Sequence, residues 1–184
     1  PRARFGIILA AALIMAALTA RLGVWQLDRA AQKNERQQTL ERRAALPELD
    51  VAGLVQASRE PSAYLQRRVQ VSGRWQGSST IYLDNRQMQG RPGFYVLTPL
   101  VLADGRAVLV QRGWQPRDLR DRTRVVEPLT PGGEVVIRGR IAPPPARLFE
   151  FEGSESGVIR QNVSIEALAA EFRLDLLGLS VLQE

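Results

Sequence analysis

Six residues carry the side chains best suited to hold a ligand or a partner protein. An arginine guanidinium binds a carboxylate through two parallel hydrogen bonds and also stacks on aromatic rings. Tryptophan offers a large apolar ring with one N–H donor. The six form one set after a long apolar run and a second set around a predicted hairpin: Trp25, Gln26 and Arg29, then Arg86, Arg112 and Trp114. Their types indicate recognition rather than catalysis.

Each set also has a purely structural interpretation. Trp25 and Arg29 stand where an apolar helix would leave a membrane, and aromatic and basic side chains anchor helices at that depth. Trp114 could close a hydrophobic core while Arg112 pairs locally. The residue types alone leave the binding and the structural interpretations open.

Several kinds of chemistry are excluded or disfavoured by composition. The chain has no Cys and no His, so it lacks thiolates and imidazoles for catalysis or metal binding. Met15 and Met88 are its only thioethers. Carboxylate pairs such as Glu150 and Glu152 occur without other signs of a pocket. We therefore expect neither an enzyme nor a metal site held by this chain alone.

The N-terminal segment predicts a transmembrane helix over residues 1–27. The run Phe5–Ala20 carries no charge, and a helix from residue 5 to residue 26 is roughly 33 Å long, enough for a bilayer core. Arg21 near its end can extend its charge to the headgroups. A cleaved signal peptide and a buried core helix are the alternatives. Arg2 and Arg4 favour a cytoplasmic N-terminus.

Two further regions follow the apolar segment. Residues 28–46 lack Gly and Pro and mix both charge signs, which predicts a juxtamembrane helical stalk or a partner-binding helix. Residues 47–184 are predicted to form an extracytoplasmic β-rich domain. The net charge of +6 comes without a dense basic run or a known nucleic-acid motif, so we expect no nucleic-acid partner.

The β-rich domain is predicted around the hairpin Gly93–Trp114. Two apolar runs flank Asp104-Gly105, a pair that favours a tight turn. Alternating strands are expected at Arg68–Trp75 and Glu134–Ile141. The sequence therefore predicts an α+β fold, in which an N-terminal transmembrane helix precedes an antiparallel, small barrel-like β-rich domain with a late α-helix.

The remaining segments complete this expectation. Pro47–Pro61 is interpreted as a connecting region, and Arg147–Phe151 as an edge strand. Ser164 is a predicted N-cap for a helix over Ile165–Leu176. A last strand is expected at Leu179–Leu182.

Four blocks of the sequence resemble the Surfeit-locus-one family of membrane assembly factors for cytochrome c oxidase. They are LGVWQLDR at 22–29, LDNR at 83–86, PGFYVLTPL at 92–100 and VLVQRGW at 108–114. The blocks occur in the family's order over nearly the whole chain. In two places the chain departs from the pattern, with Tyr95 where many members have His or Gln and Gln111 where many have Asn.

The resemblance implies an assembly chaperone of the bacterial inner membrane whose main domain faces the periplasm. Its implied partners are the membrane, the large oxidase subunit and haem a synthase, and the six residues above become candidates for partner or haem-edge contacts. In this family a histidine on a second transmembrane helix is linked to haem a, and such a helix would lie beyond Glu184. We expect no cofactor held by this segment, with haem a expected only in the full-length protein. A membrane-anchored envelope binding module unrelated to the oxidase is the alternative.

Overall fold

The computed structural model describes residues 2–145 and 157–184 and divides into two compact units, Pro1–Arg42 and Arg43–Glu184. The first unit consists of most of one continuous helix, α1 (Arg2–Ala44), whose last two residues belong to the second unit. The large apolar side chains that are described along it, including Leu18 and Leu22, are exposed. The helix is long and apolar enough to cross a membrane. The predicted boundaries at residues 27 and 46 stay predictions.

Among the described residues, the second unit contains three α-helices, one short 3-10 helix (Gly77–Ser79) and seven strands. The helices are α2 (Val51–Arg59), α3 (Pro61–Tyr64) and α4 (Ile165–Phe172). The strands are β1 (Arg68–Trp75), β2 (Ile81–Leu83), β3 (Gly93–Leu102), β4 (Arg106–Pro116), β5 (Glu134–Ala142), β6 (Ile159–Arg160) and β7 (Asp175–Gln183). The α+β class with a late helix is confirmed.

The seven strands form one sheet in the order β1-β5-β7-β4-β3-β2-β6. Most pairs are antiparallel, as predicted, but β4–β7 and β2–β6 are parallel, so the sheet is mixed. The end of β1 also pairs with β3, from Gly73↔Leu102 to Trp75↔Leu100. This second pairing curls the sheet towards the predicted barrel, but it covers three residue pairs and the sheet is not a closed barrel.

The predicted hairpin is confirmed as β3 and β4. Gly105 adopts φ 86° in the connecting turn, a value that glycine tolerates at little cost. Pairing runs from Val101↔Ala107 to Gly93↔Pro116. A β-bulge interrupts it, because Val96 pairs with Gly113 and the next residue, Leu97, pairs with Gln111. Arg112 is therefore the extra residue of the bulge.

Helices cover both faces of the sheet. On the α2 face, Leu54 and Ala57 pack against strand residues that include Val108, Val110 and Val181. On the α4 face, a second cluster is formed by Ile165 and Leu168 with Ile81, Leu83, Leu97, Ala107, Leu109, Val163 and Leu176. Each fully buried Leu, Ile or Val stabilises the fold by roughly 1.5–3 kcal/mol. The hairpin is therefore held from both sides.

Helix α2 lies inside the region interpreted as a connection. Its N-cap, Asp50, accepts a hydrogen bond from Gly53 N at 2.8 Å, and Leu54 and Ala57 are fully buried. The cap was a readable signal, but Gly53 within the first turn weakens the helical pattern. The connection prediction was wrong for this segment.

The late helix is shorter than predicted. The predicted N-cap is confirmed, since Ser164 Oγ accepts from Ala167 N at 3.1 Å. Arg173 adopts the left-handed conformation with φ 56° and ends α4 at Phe172. Leu176 consequently belongs to β7, which begins before the predicted start at Leu179. The edge strand predicted at 147–151 lies outside the described residues.

Candidate functional site

Two of the six candidate residues meet at one end of the hairpin. Trp114 Nε1 donates a hydrogen bond of 2.7 Å to the backbone oxygen of Arg86. The Arg86 side chain turns inward, where its Nη2 donates to Gln161 O at 3.0 Å and its Cζ lies 6.0 Å from the ring centroid of Tyr95. Arg86 is only 8% exposed, and burial lowers its pKa. The structure thus joins three of the sequence blocks through one arginine.

A tight turn directs Arg86 into this position. Asn85 adopts a left-handed conformation with φ 59°, which Asn tolerates better than most residues. Its backbone N–H donates to Asp84 Oδ1 at 2.6 Å, and Arg86 N donates to Gly93 O at 3.0 Å. The turn between β2 and β3 therefore closes on the start of β3.

The indole of Trp114 packs against Gly93 and leaves no room for a side chain there. A Cβ at Gly93 would lie 2.4 Å from Trp114 Cε2 and 2.3 Å from Gln115 O, far inside contact distance. The Gly-Trp spacing across the hairpin thus lets the ring pack against the backbone of β3. This placement carries the Nε1 donor to Arg86.

A cleft of about 420 Å³ opens beside Arg86 on the sheet. Its lining combines a guanidinium, an aromatic ring, amides and a proline run: Asn85, Arg86, Gln87, Tyr95, Gln111, Ala142, Pro143, Pro144, Pro145 and Leu182. Arginine favours carboxylates, and a ring with prolines favours apolar surface. The cleft is therefore suited to a group that carries a carboxylate on an apolar body.

Two ion pairs involve residues next in sequence to Gln161 and Asn85, which lie around Arg86. Arg160 donates from Nη1 and Nη2 to the two carboxylate oxygens of Glu171 at 2.7 and 2.6 Å, and from Nε to Gly157 O at 2.6 Å. The hydrogen bonds from Arg160 lower the pKa of Glu171. Asp84 forms the second pair with Arg117. The sequence analysis did not select these residues as site residues, since their pairing is non-local.

Arg112 lies in different surroundings. Its Cζ is 4.2 Å from the ring centroid of Trp75, and its guanidinium donates to Thr130 Oγ1 at 3.1 Å and to Leu129 O. Burial lowers its pKa. The β-bulge explains why Arg112 and Trp114 have different surroundings. Without it, the two side chains would lie on the same face of the strand, because they are two residues apart. The extra residue at 112 breaks this alternation.

A second cleft, of about 560 Å³, lies near Arg112. It is lined by Gly77, Ser78, Thr80, Tyr82, Val125, Glu127, Pro128, Leu129, Thr130 and Val158. Burial and, to a lesser extent, Glu127 raise the pKa of the Tyr82 phenol, whereas the Arg112 charge opposes them. The hydroxyl donates to Val126 O at 3.3 Å. Tyr82 is therefore a neutral structural donor near neutral pH.

The other three candidates lie on α1, in the first unit. Arg29 Cζ is 5.7 Å from the ring centroid of Trp25, one helical turn earlier, and both side chains are exposed. Gln26 is exposed beside them. Arg29 and Trp25 therefore form a cation–π pair on the helix surface.

Among residues 2–145 and 157–184, no group of three or more acidic, His or Cys side chains is placed to hold a metal ion. The whole sequence also lacks His and Cys, two of the usual protein ligands of haem iron. The other usual ligands, Met and Tyr, are present. The donor set therefore does not fit a histidine- or thiolate-ligated haem iron. The arginines can bind acidic groups at the edge of such a molecule.

Comparison with known proteins gives consistent matches. The family model described as the SURF1 family matches residues 13–183. A SURF1-like protein of Dictyostelium discoideum is 39% identical over 51 residues, which are 28% of this chain and 19% of that protein. A SURF1-like protein of Rickettsia felis is 27% identical over 104 residues, 55% of this chain and 43% of that protein. The matched stretches cover less than half the length of either relative.

Proposed function

Because the chain belongs to the SURF1 family over residues 13–183, we propose that it is a membrane-anchored assembly factor for cytochrome c oxidase. The family match is the observation that carries this proposal. Helix α1, which can span a bilayer, supplies the anchor. The proposed location is the bacterial inner membrane, with the β-rich domain in the periplasm. The proposed mode of action is binding without catalysis.

The proposed contact with the large oxidase subunit is the cleft beside Arg86. It presents a buried guanidinium next to Tyr95 and a proline run, and it is bounded by residues of the blocks that carry the family resemblance. A carboxylate on an apolar segment of the partner would meet Arg86, while Gln111 could hydrogen bond its backbone. Buried arginines and aromatic rings often dominate the energy of protein interfaces.

Haem a enters this proposal only at its edge. Its propionates are carboxylates, so Arg86 could hold one of them in the same way as a partner acid. The donor set of this chain does not fit histidine ligation of the iron, and no step of the proposal passes through iron bound here. Haem a synthase is proposed as a further partner, because it would supply the haem.

The first experiment purifies the full-length natural protein in detergent from a host that makes haem a. Co-purification of oxidase subunits is expected, and loss of that association is expected for Arg86→Ala. Arg91→Ala is the matched control, because Arg91 is exposed on the same β2–β3 connection. Equal association of both variants would refute the assignment of the cleft.

An absorption spectrum of the same preparation separates two forms of the proposal. Haem a retained by the full-length protein, but not by residues 1–184, would support a role in haem delivery with the iron ligand elsewhere. Oxidase subunits without haem in either form would support stabilisation of the nascent subunit. Absence of oxidase subunits would favour an envelope binding module instead.

A further inference from the structure

The connection from β4 to β5 is a structured surface, here called the arginine loop (117–133). Arg117 N donates to Pro92 O at 3.1 Å, and the Arg117 side chain pairs with Asp84. Both backbone groups of Val126 are hydrogen-bonded. Its N–H donates to Gln115 Oε1 at 3.2 Å, and its oxygen accepts from the Tyr82 hydroxyl. The second half of the loop is held by Arg112, whose guanidinium donates to Leu129 O and Thr130 Oγ1. The loop is therefore fixed to the sheet at several points along its length.

The arginine loop nevertheless exposes large apolar side chains. Leu119 is 88% exposed, Leu129 86% and Val126 72%. An anchored loop of this length that leaves such side chains in water is a candidate interaction surface. The anchoring contacts involve the backbone of residues 126 and 129, so they orient these residues without burying their side chains.

The charges of the loop have a defined arrangement. Asp118 Oδ1 accepts from Arg120 N at 2.8 Å, and Asp121 Oδ1 accepts from Thr123 N at 2.9 Å and from its hydroxyl at 2.6 Å. These hydrogen bonds with Thr123 lower the pKa of Asp121. The two carboxylates thus cap turns of their own loop. The guanidinium groups of Arg120 and Arg122 are exposed.

We propose that the arginine loop binds the surface of an anionic lipid bilayer. Leu119, Val126 and Leu129 insert at the boundary between headgroups and acyl chains, and Arg120 and Arg122 bind lipid phosphates. The apolar side chains are separate and interspersed with arginines, a pattern that suits a headgroup interface. A protein interface more often has a contiguous apolar core. The inference is independent of any oxidase partner.

The chain itself supplies the argument for a bilayer as the occupant. Helix α1 can span a membrane, so a bilayer surface stays within reach of the domain at high effective concentration. Weak contacts that would not hold a free protein then suffice. An acidic protein surface could also pair with the arginines, but no described segment of the chain holds such a surface nearby.

The absence of cysteine in the chain allows a direct test. Leu119→Cys and Leu129→Cys each receive a nitroxide label, and the 184-residue chain is reconstituted into phosphatidylcholine vesicles with or without phosphatidylglycerol. The measurement compares collisions of the label with oxygen and with a water-soluble nickel complex. Glu166→Cys, on an exposed position of α4, is the control.

The proposal predicts that the oxygen-to-nickel ratio at positions 119 and 129 rises several-fold above that at 166 when phosphatidylglycerol is present. High salt, or Arg120→Gln combined with Arg122→Gln, should remove most of this rise. Labels at 119 and 129 that stay as aqueous as the control would overturn the proposal. Protection that requires an added oxidase subunit would also overturn it and would identify a protein surface.

Discussion

At the residue scale, the site depends on one hydrogen bond between strand β4 and the connection from β2 to β3. Trp114 holds the backbone of Arg86 while Gln161 receives the Arg86 side chain. Arg86 is thereby fixed from both ends in a buried position. Such fixation lowers the conformational entropy that an arginine loses when it binds a carboxylate.

Trp114→Phe removes the Nε1 donor but keeps an aromatic ring beside Gly93. The Arg86 oxygen then loses its partner, and the smaller ring leaves some space. We expect the free energy of unfolding of the domain to fall by about 1–2 kcal/mol, measured by chemical denaturation. Trp25→Phe, the same change on an exposed residue of α1, should leave it unchanged. Equal effects of the two changes would contradict this account of Trp114.

Glu171 provides a pH-dependent prediction. Its pKa is lowered in the folded state by the hydrogen bonds from Arg160. A lowered carboxylate pKa adds stability above the unfolded pKa, and this stability is lost as the pH falls through the folded pKa. The stability difference between the wild type and Glu171→Gln should therefore be largest near pH 7 and shrink below about pH 4.

Denaturation curves at several pH values measure this difference. Because Glu171 is 44% exposed on its side chain, the effect should be small. Glu166→Gln on the same helix is the control and should show no comparable pH dependence. A stability difference for Glu171→Gln that persists unchanged at acid pH would contradict the assignment to this ion pair.

At the element scale, local signals predicted the elements better than their partners. Asp104-Gly105 between apolar runs was sufficient for the hairpin, and Ser164 for the start of α4. The parallel pairing of β4 with β7 depends on segments about 70 residues apart, which no local pattern specifies. The bulge at Arg112 was equally hidden, because the sequence does not show which strand carries the extra residue.

Gly93→Ala tests the close contact between strand and indole. The added methyl group would meet Gln115 O and the Trp114 ring at distances that force a shift. Overpacking of this kind typically costs about 1–3 kcal/mol, so a clear loss in the denaturation midpoint is expected. Gly132→Ala is the control, because a Cβ there has no neighbour within 4 Å. An equally stable Gly93→Ala protein would show that the hairpin can relax around the ring.

Ser164→Ala tests the N-cap of α4. The substitution leaves Ala167 N without its side-chain acceptor, and losing such a cap costs about 1 kcal/mol. Ser164→Asp restores an acceptor at the same position and should retain most of the stability. Thermal unfolding of the three proteins compares them directly. A Ser164→Asp protein as unstable as Ser164→Ala would rule out capping as the reason.

At the scale of the whole molecule, the six candidate residues separate into three places. Trp25, Gln26 and Arg29 lie on α1, Trp114 is hydrogen-bonded to the backbone of Arg86, and Arg112 packs against Trp75. Residue type and sequence blocks selected them as candidates. Their grouping required the turn at Asn85 and the bulge at Arg112, which are set by backbone conformation and strand register. Arg160 and Glu171 were missed for the same reason.

We propose that this chain assists assembly of cytochrome c oxidase through the Arg86 cleft. The most direct measurement is the amount of assembled oxidase in membranes of a strain that lacks the gene and is complemented with wild type, Arg86→Ala or Arg91→Ala. We expect deletion to reduce assembled oxidase and its haem a, wild type and Arg91→Ala to restore both, and Arg86→Ala to restore little. Normal oxidase and haem a in the deletion strain would contradict the proposed function, and full restoration by Arg86→Ala would contradict the role of the cleft.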